Sequence, residues 1–133
     1  MRAQRPIGLI VNGDVAERVV ARSVFEACGV EALVEEVTES AVALANSLED
    51  APVAIFVDLT LTGRPSGAAL ALLLRVRFPE ALLVVTSDRK PDFVSDAHFL
   101  LKPWCPDDLA SELRRALGEP EAVSERTVTY QES

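Results

Sequence analysis

Three polar residues stand at the ends of hydrophobic runs in this sequence. Each directly follows its run: Asp58 follows 52–57, Thr86 follows 82–85 and Lys102 follows 98–101. If these runs form parallel strands, the carboxylate, the hydroxyl and the ammonium converge on the edge of the sheet where open α/β proteins have their sites. Such a trio suits chemistry on a negatively charged group, because the lysine offsets charge and the threonine donates a hydrogen bond.

The rest of the sequence alternates strand-like runs with stretches of helical spacing. The predicted strands cover 7–11, 31–37, 52–57, 81–85 and 98–101, and the predicted helices cover 15–28, 38–48, 66–78 and 106–117. Gly29 is placed to end the first helix, and Thr38 is placed to cap the second. Strands joined by helices need right-handed crossovers, which predicts an α/β, flavodoxin-like, doubly wound, five-stranded parallel sheet of order 2-1-3-4-5.

One connection is too short for this pattern. Ten residues, Asp88 to Ala97, separate the fourth and fifth predicted strands, and Pro91 lies among them. A helix with its two loops hardly fits there, so a reduced β4–β5 connection is expected.

Length and composition restrict the class of protein. The 133 residues suit one domain, predicted over 6–117 and followed by a polar tail over 118–133. The net charge of -8 argues against nucleic-acid binding and against anionic membranes. No apolar stretch is long enough to span a bilayer, no signal peptide is recognisable, and Cys28 and Cys105 lack metal-ligand spacing, so a cytoplasmic protein with reduced thiols is expected.

The order of these features resembles the receiver domain of two-component response regulators over about residues 6 to 117. The resemblance implies that Asp58 accepts a phosphoryl group from a histidine kinase or a histidine phosphotransfer protein. It also implies that Thr86 contacts the phosphoryl group and drives the switch, and that Lys102, before a cis peptide to Pro103, pairs with the phosphoryl site. Phe99, three residues before that lysine, matches the aromatic residue that rotates on activation.

The sequence departs from the family where receivers have two adjacent acidic residues that hold a divalent cation. Those positions are Asn12 and Gly13 here, and Asp14 is displaced by one residue. The resemblance leaves Asp58 and the backbone carbonyl of Thr60 as metal ligands, with Asp14 or Asn12 as a further candidate. Mg²⁺ requires several oxygen ligands, so its binding is predicted to be weak or absent.

The short fourth connection also replaces the helix with which receivers usually form dimers and output contacts. Its loss is expected to expose apolar surface near Val84, Phe93 and Phe99. Exposed apolar patches usually contact a partner, which predicts a homodimer or a docked target protein.

Four further residues are expected to have only structural roles. His98 is interpreted as a strand-edge residue, Trp104 as a packing residue after the Lys-Pro turn, and Arg18 and Arg22 as a solvated helix face.

Three functions remain open from the sequence. The first is a stand-alone receiver, not an enzyme, that is phosphorylated on Asp58 and acts by binding another protein or as a phosphate sink. The second is a pseudo-receiver, a constitutive interaction module that works without phosphorylation, as Asn12 and Gly13 favour. The third is a small flavodoxin-like ligand-binding domain or enzyme, which has little support because no glycine-rich phosphate loop follows the first strand.

Overall fold

A five-stranded parallel sheet forms the centre of the molecule. The structure, a computed structural model, describes residues 5–91 and 96–118. The strands are β1 (Ile7–Val11), β2 (Glu31–Glu35), β3 (Ala54–Asp58), β4 (Leu82–Ser87) and β5 (His98–Leu101). The helices are α1 (Val15–Ala27), α2 (Thr38–Ser47), α3 (Gly67–Arg77) and α4 (Pro106–Ala116). All strand pairs are parallel and their order is β2-β1-β3-β4-β5, which confirms the predicted fold class and strand order.

The helices cover both faces of the sheet, so strand side chains on both faces are buried. The first hydrophobic cluster joins the sheet to α2 and α3, with members that include Leu9, Ile55, Val57, Leu70 and Leu74. The second joins it to α1 and α4, with members that include Ile10, Phe25, Phe56, Leu109 and Leu113. Burial on both faces explains why the central strands are continuous apolar runs instead of alternating ones.

Local signals set most helix ends. The side chain of Asp14 accepts a hydrogen bond from the Glu17 backbone N–H at 2.9 Å and caps α1. Gly29 follows the same helix with φ of 83°, as predicted for a C-terminal glycine. The prediction that Thr38 caps α2 is wrong, because Val37 is the N-cap residue and Thr38 begins the helix.

The connection between β4 and β5 is reduced, as predicted. Its described residues, 88–91 and 96–97, lie in neither helix nor strand. Arg75 of α3 links the residue before β4 to the residue two before β5. Its guanidinium donates hydrogen bonds to the carbonyls of Ala81 and Asp96, each at 3.2 Å.

The expected exposed surface beside this connection is not found at Val84, which is only 1% exposed. Val84 packs in the second cluster with Leu109 and Leu113, because α4 covers that face of β4. Phe99 packs against the first cluster, and Phe93 lies outside the described residues. Most of the large exposed apolar side chains lie instead on α1 and α3; they are Val15, Val19, Val20, Leu72, Leu73 and Val76. Val37 before α2 and Leu101 of β5 are exposed as well.

Several other sequence predictions concern the whole chain. Both cysteines are described, and they are not disulfide-bonded. Among the described residues, no helix has the length and apolar character needed to cross a membrane. The predicted tail lies outside the described residues from 119 onward, so its role stays a prediction.

Candidate functional site

Asp58 lies at the carboxyl edge of the sheet, and its carboxylate is hydrogen-bonded on both oxygens. The residue ends β3 and is 3% exposed. Its Oδ2 accepts a hydrogen bond from Lys102 Nζ at 2.7 Å. Its Oδ1 accepts two, from the Thr60 backbone N–H at 2.9 Å and from the Thr60 hydroxyl at 2.7 Å. A charged group buried this deeply requires such partners, because water no longer solvates it.

Lys102 reaches the carboxylate from the end of β5. Its backbone N–H donates to the carbonyl of Ser87 at 2.9 Å, which continues the β4–β5 pairing by one residue. The peptide bond from Lys102 to Pro103 is cis, as the resemblance implies. Burial by itself lowers the pKa of the Lys102 ammonium, but the hydrogen bond to Asp58 and the charges of Asp58 and Glu17 outweigh this effect and raise it.

Glu17 is the second carboxylate of the site, and the sequence analysis did not single it out. It lies in the first turn of α1, where its Oε2 is 3.6 Å from Lys102 Nζ. Its Oε1 accepts hydrogen bonds from Asn12 Nδ2 at 2.9 Å and from Trp104 Nε1 at 3.1 Å. The Lys102 ammonium therefore lies between two carboxylates, those of Asp58 and Glu17.

Hydrogen bonds between side chains and nearby backbone N–H groups hold the residues that follow β1. Asn12 is fully buried, and its Oδ1 accepts a hydrogen bond from the Asp14 backbone N–H at 2.8 Å. Asp14 is exposed and caps α1, so its carboxylate is engaged with the helix. The φ of Gly13 is not positive, and the Asp14 carboxylate, a candidate metal ligand in the sequence, accepts from the Glu17 backbone N–H.

Of the residues expected to have only structural roles, Arg18 differs from its prediction and Trp104 makes an additional contact. Arg18 is not a solvated residue, because its guanidinium donates to the Asn12 carbonyl at 2.9 Å and its side chain is 18% exposed. Trp104 packs as predicted, with its ring edge-on to Phe56 at 5.1 Å between centroids. Its indole N–H additionally fixes Glu17. His98 is exposed and its Nδ1 is 3.1 Å from Glu112 Oε1, while Arg22 pairs with Glu26 on the surface.

Thr86 lies beside Asp58 in the sheet, since the two residues are register partners of β4 and β3. Its hydroxyl is fully buried and donates to the carbonyl of Leu100 at 2.7 Å, not to Asp58. The structure thus joins Asp58 to Lys102 directly and holds the Thr86 hydroxyl on the neighbouring strand.

Solved structures of similar shape decide the fold family. A response regulator receiver protein from Sinorhizobium medicae WSM419 matches with a TM-score of 0.76 at 18% identity, over 86% of this chain and 96% of that one. A CheY-like receiver domain from Methylobacillus flagellatus matches with a TM-score of 0.69 at 25% identity, over 85% and 99%. A two-component response regulator from Clostridium difficile matches with a TM-score of 0.73 at 19% identity, over 86% and 97%.

This chain has the receiver-domain fold of response regulators. No family model matches the sequence, and no curated protein matches it either. The receiver fold is thus recognised from tertiary structure and from a few spaced residues, not from overall sequence similarity.

Receiver domains commonly bind Mg²⁺ at an acidic site. In this chain the two positions that follow β1 are Asn12 and Gly13, which are not acidic. Gly13 has no side chain, the Asn12 oxygen accepts from a backbone N–H, and the Asp58 oxygens are occupied by Lys102 and Thr60. Among the described residues, no group of three or more His, Cys, Asp or Glu side chains is arranged to hold a metal ion. Mg²⁺ prefers several free oxygen ligands in octahedral geometry, and this donor set does not fit it.

Two signals in the sequence point to the residues that were missed. Asp14 and Glu17 have the spacing of an N-cap residue and the acidic residue three positions later, which predicts a carboxylate in the first turn. That spacing does not reveal that Glu17 points to Lys102. Thr60 was considered only for its carbonyl, although a hydroxyl two residues after an aspartate is well placed to bond it locally.

Proposed function

We propose that this protein is a receiver that accepts a phosphoryl group on Asp58 and passes a signal on by binding another protein. The observation that carries the proposal is the 2.7 Å contact between Lys102 Nζ and Asp58 Oδ2. A carboxylate accepts a phosphoryl group only if nearby cations and donors offset its charge and that of the incoming oxygens. Lys102 meets this requirement without any rearrangement of the sheet.

In the proposed transfer, a carboxylate oxygen of Asp58 attacks the phosphorus of a phosphohistidine. The new O–P bond forms as the N–P bond of the donor breaks, and the electron pair of that bond returns to the leaving imidazole. The product is an acyl phosphate on Asp58. Lys102 remains beside it and offsets the charge that the phosphoryl oxygens bring.

The proposed switch involves Thr86 and Phe99. In the unphosphorylated protein the Thr86 hydroxyl donates to the carbonyl of Leu100. A phosphoryl oxygen on Asp58 is a stronger acceptor, because it is charged, and it draws the hydroxyl away from β5. Phe99, half-buried and next to Leu100, then changes its packing against the first hydrophobic cluster and transmits the change to the surface.

The proposed phosphoryl donor is a histidine kinase or a histidine phosphotransfer protein. Receiver domains typically interact with such proteins. The first turns of α1 adjoin the site, and Val15 and Val19 are 65% and 60% exposed there. We infer that the donor contacts these residues, because exposed apolar side chains on the helix that brings Glu17 to Lys102 suit a docked partner.

The proposed target protein, or a second copy of the chain, contacts a different surface. The region near Val84 that was expected to serve this purpose is buried. Exposed apolar side chains lie on α3 instead, where Leu72 and Leu73 are 55% and 52% exposed and Val76 is 80% exposed. Patches of this kind usually bind proteins.

Intact mass spectrometry after incubation with acetyl phosphate tests the acceptor. We expect a phosphate-sized mass increase on the wild type, none on Asp58→Asn, and an unchanged increase on the control Asp50→Asn, whose aspartate is exposed in a turn. No increase in the wild type, with or without Mg²⁺, contradicts the proposal. An increase that persists in Asp58→Asn contradicts it equally.

The second candidate is the pseudo-receiver. It is favoured by the end of β1, where Asn12 and Asp14 bond each other and α1 and leave no acidic pair. This candidate predicts no mass increase and binding to a target that Asp58→Asn leaves unchanged.

A further inference from the structure

The Lys102 ammonium contacts two carboxylates that come from different parts of the chain. Its Nζ is 2.7 Å from Asp58 Oδ2 and 3.6 Å from Glu17 Oε2. The Thr60 hydroxyl lies 3.5 Å from the same nitrogen. The Lys102 ammonium thus lies among the Asp58, Glu17 and Thr60 oxygens at this edge of the sheet.

We propose that Lys102, held between Asp58 and Glu17, is the resident cation of this pocket and that a divalent cation does not bind there while it is in place. Glu17 is the positioning residue that keeps the ammonium in the pocket. The inference deepens the proposed function, and its phosphorylation arm rests on it.

Charge supports the inference. Two carboxylates and one ammonium leave the trio with one net negative charge, whereas a site with an acidic pair, an acceptor aspartate and a lysine has two. A divalent cation entering here must approach the ammonium, and like charges a few ångströms apart repel strongly in a partly buried site. The oxygen of Asp58 closest to the lysine is already its acceptor, so a metal must displace Lys102 to use it.

Several hydrogen bonds fix the position of Glu17, so its carboxylate is held near Lys102 by the fold. Asn12 and Trp104 donate to its Oε1, and its backbone N–H donates to Asp14 at the start of α1. The side chain is 24% exposed. Since Asn12 uses its amide nitrogen to hold Glu17, an aspartate at position 12 would repel Glu17 instead.

The same geometry predicts what happens when the lysine is removed. In Lys102→Met, the Asp58 and Glu17 carboxylates keep their hydrogen-bond donors but lose their common cation. Two carboxylates without a cation between them attract a divalent cation, so the variant should gain a site that the wild type lacks.

Titration with Mn²⁺ tests this on the unphosphorylated protein. Free Mn²⁺ is counted by its EPR signal, and fluorescence of Trp104, the only tryptophan of the sequence, reports on the pocket because its indole N–H contacts Glu17. We expect no saturable effect on either signal in the wild type. We expect saturable Mn²⁺ binding in Lys102→Met, at least about tenfold tighter than the weakest binding that the wild-type titration can detect. We expect this binding to be lost when Lys102→Met is combined with Glu17→Gln.

Three controls keep the result specific. Glu80→Gln, at the opposite end of the sheet, should leave both titrations unchanged. A change in this variant would show that the Mn²⁺ signal comes from unspecific binding to surface charge. Lys102→Ala repeats the gain if Lys102→Met folds poorly. In the phosphorylation assay, replacing Mg²⁺ with a chelator should change the rate by less than about twofold.

Saturable Mn²⁺ binding to the wild type that requires Glu17 overturns the proposal. Failure of both lysine variants to gain binding overturns it as well, because the lysine is then not what keeps the cation out. A phosphorylation rate that collapses in chelator also counts against it. Absence of phosphorylation under every condition would refute the proposed function alone, and the Mn²⁺ titration would still decide this inference.

Discussion

The two halves of the sheet's carboxyl edge differ in how their polar side chains are satisfied. On the β3–β5 side, Asp58 and Lys102 pair across 44 residues of sequence, and Thr86 lies on the strand between them. On the β1 side, Asn12 and Asp14 bond the backbone of their own turn and the start of α1. The first half depends on tertiary contacts, and the second is mostly a local capping structure.

Glu17 is the link between the halves. Its carboxylate accepts from Asn12 on the β1 side and lies near Lys102 on the other. This edge of the sheet therefore has a second negative charge near Asp58 without an acidic pair after β1, because Glu17 in the first turn of α1 supplies it. The charge of such a site is set by every side chain that reaches it in space, not only by the residues at the strand ends.

A matched pair of glycine substitutions gives the largest expected contrast between the halves. In Gly67→Ala the new Cβ would lie 2.5 Å from the Asp58 carbonyl oxygen, a backbone atom that cannot move without shifting β3. In Gly13→Ala the nearest atom is Leu61 Cδ2 at 3.2 Å, the end of a flexible side chain. Urea denaturation should show a loss of about 3 kcal/mol for Gly67→Ala and less than about 0.5 kcal/mol for Gly13→Ala. Equal losses would show that the two turns are equally constrained.

Removing one polar partner from each half gives the next contrast. Lys102→Met leaves the Asp58 carboxylate, 5% exposed, with Thr60 as its remaining partner, and should lower the free energy of unfolding by about 2 kcal/mol. Asn12→Ala removes the side-chain acceptor of the Asp14 backbone N–H and one of the hydrogen-bond donors to Glu17. This change should lower the free energy of unfolding by about 1 kcal/mol. Both values follow from urea denaturation at neutral pH. A greater loss for Asn12→Ala would mean that the β1 side is the tighter one.

The smallest expected effect is the dependence of stability on alkaline pH. The pKa of Lys102 is raised above its ordinary 10.5 in the folded protein, so the folded state holds this proton more tightly than the unfolded chain. The stabilisation is complete below that value and is lost as pH rises through the higher folded pKa.

Urea midpoints of the wild type and of Lys102→Met should therefore converge as pH rises above about 10.5. Lys90→Met is the matched control, because Lys90 is exposed and is the only other lysine of the sequence. Its midpoint should follow that of the wild type. A gap between wild type and Lys102→Met that stays constant to the highest pH would show that the ion pair to Asp58 does not depend on this proton.

Periodicity identified the nine helices and strands of the described residues, and their ends agree within two residues of the predicted bounds. Strong punctuation explains this agreement: Gly29 and the turn at Pro79 interrupt the pattern where the chain must change direction. Thr38 was misassigned because a hydroxyl beside a helix start is equally compatible with the cap position and the position after it. The burial of Val84 was missed because the packing of α4 on that face is a long-range contact.

The proximity of the polar residues on the β3–β5 side was also predictable from the sequence. Asp58, Thr86 and Lys102 end successive strands, and parallel pairing brings such ends together whatever the side chains do. The β1 side was not predictable in the same way. Whether Asp14 turns to the pocket or caps α1 depends on competition between two local bonds, and the sequence is compatible with both.

The order of strands and helices and the residues at the strand ends were predictable from the amino acids, because they follow from local periodicity and from the geometry of parallel crossovers. The folded protein was needed to show that Thr86 bonds β5, that Arg18 and Trp104 lie beside the site, and that Glu17 shares Lys102 with Asp58. Side-chain direction at a helix start or strand end depends on which distant donors and charges lie within a few ångströms, and those distances exist only once the chain has folded.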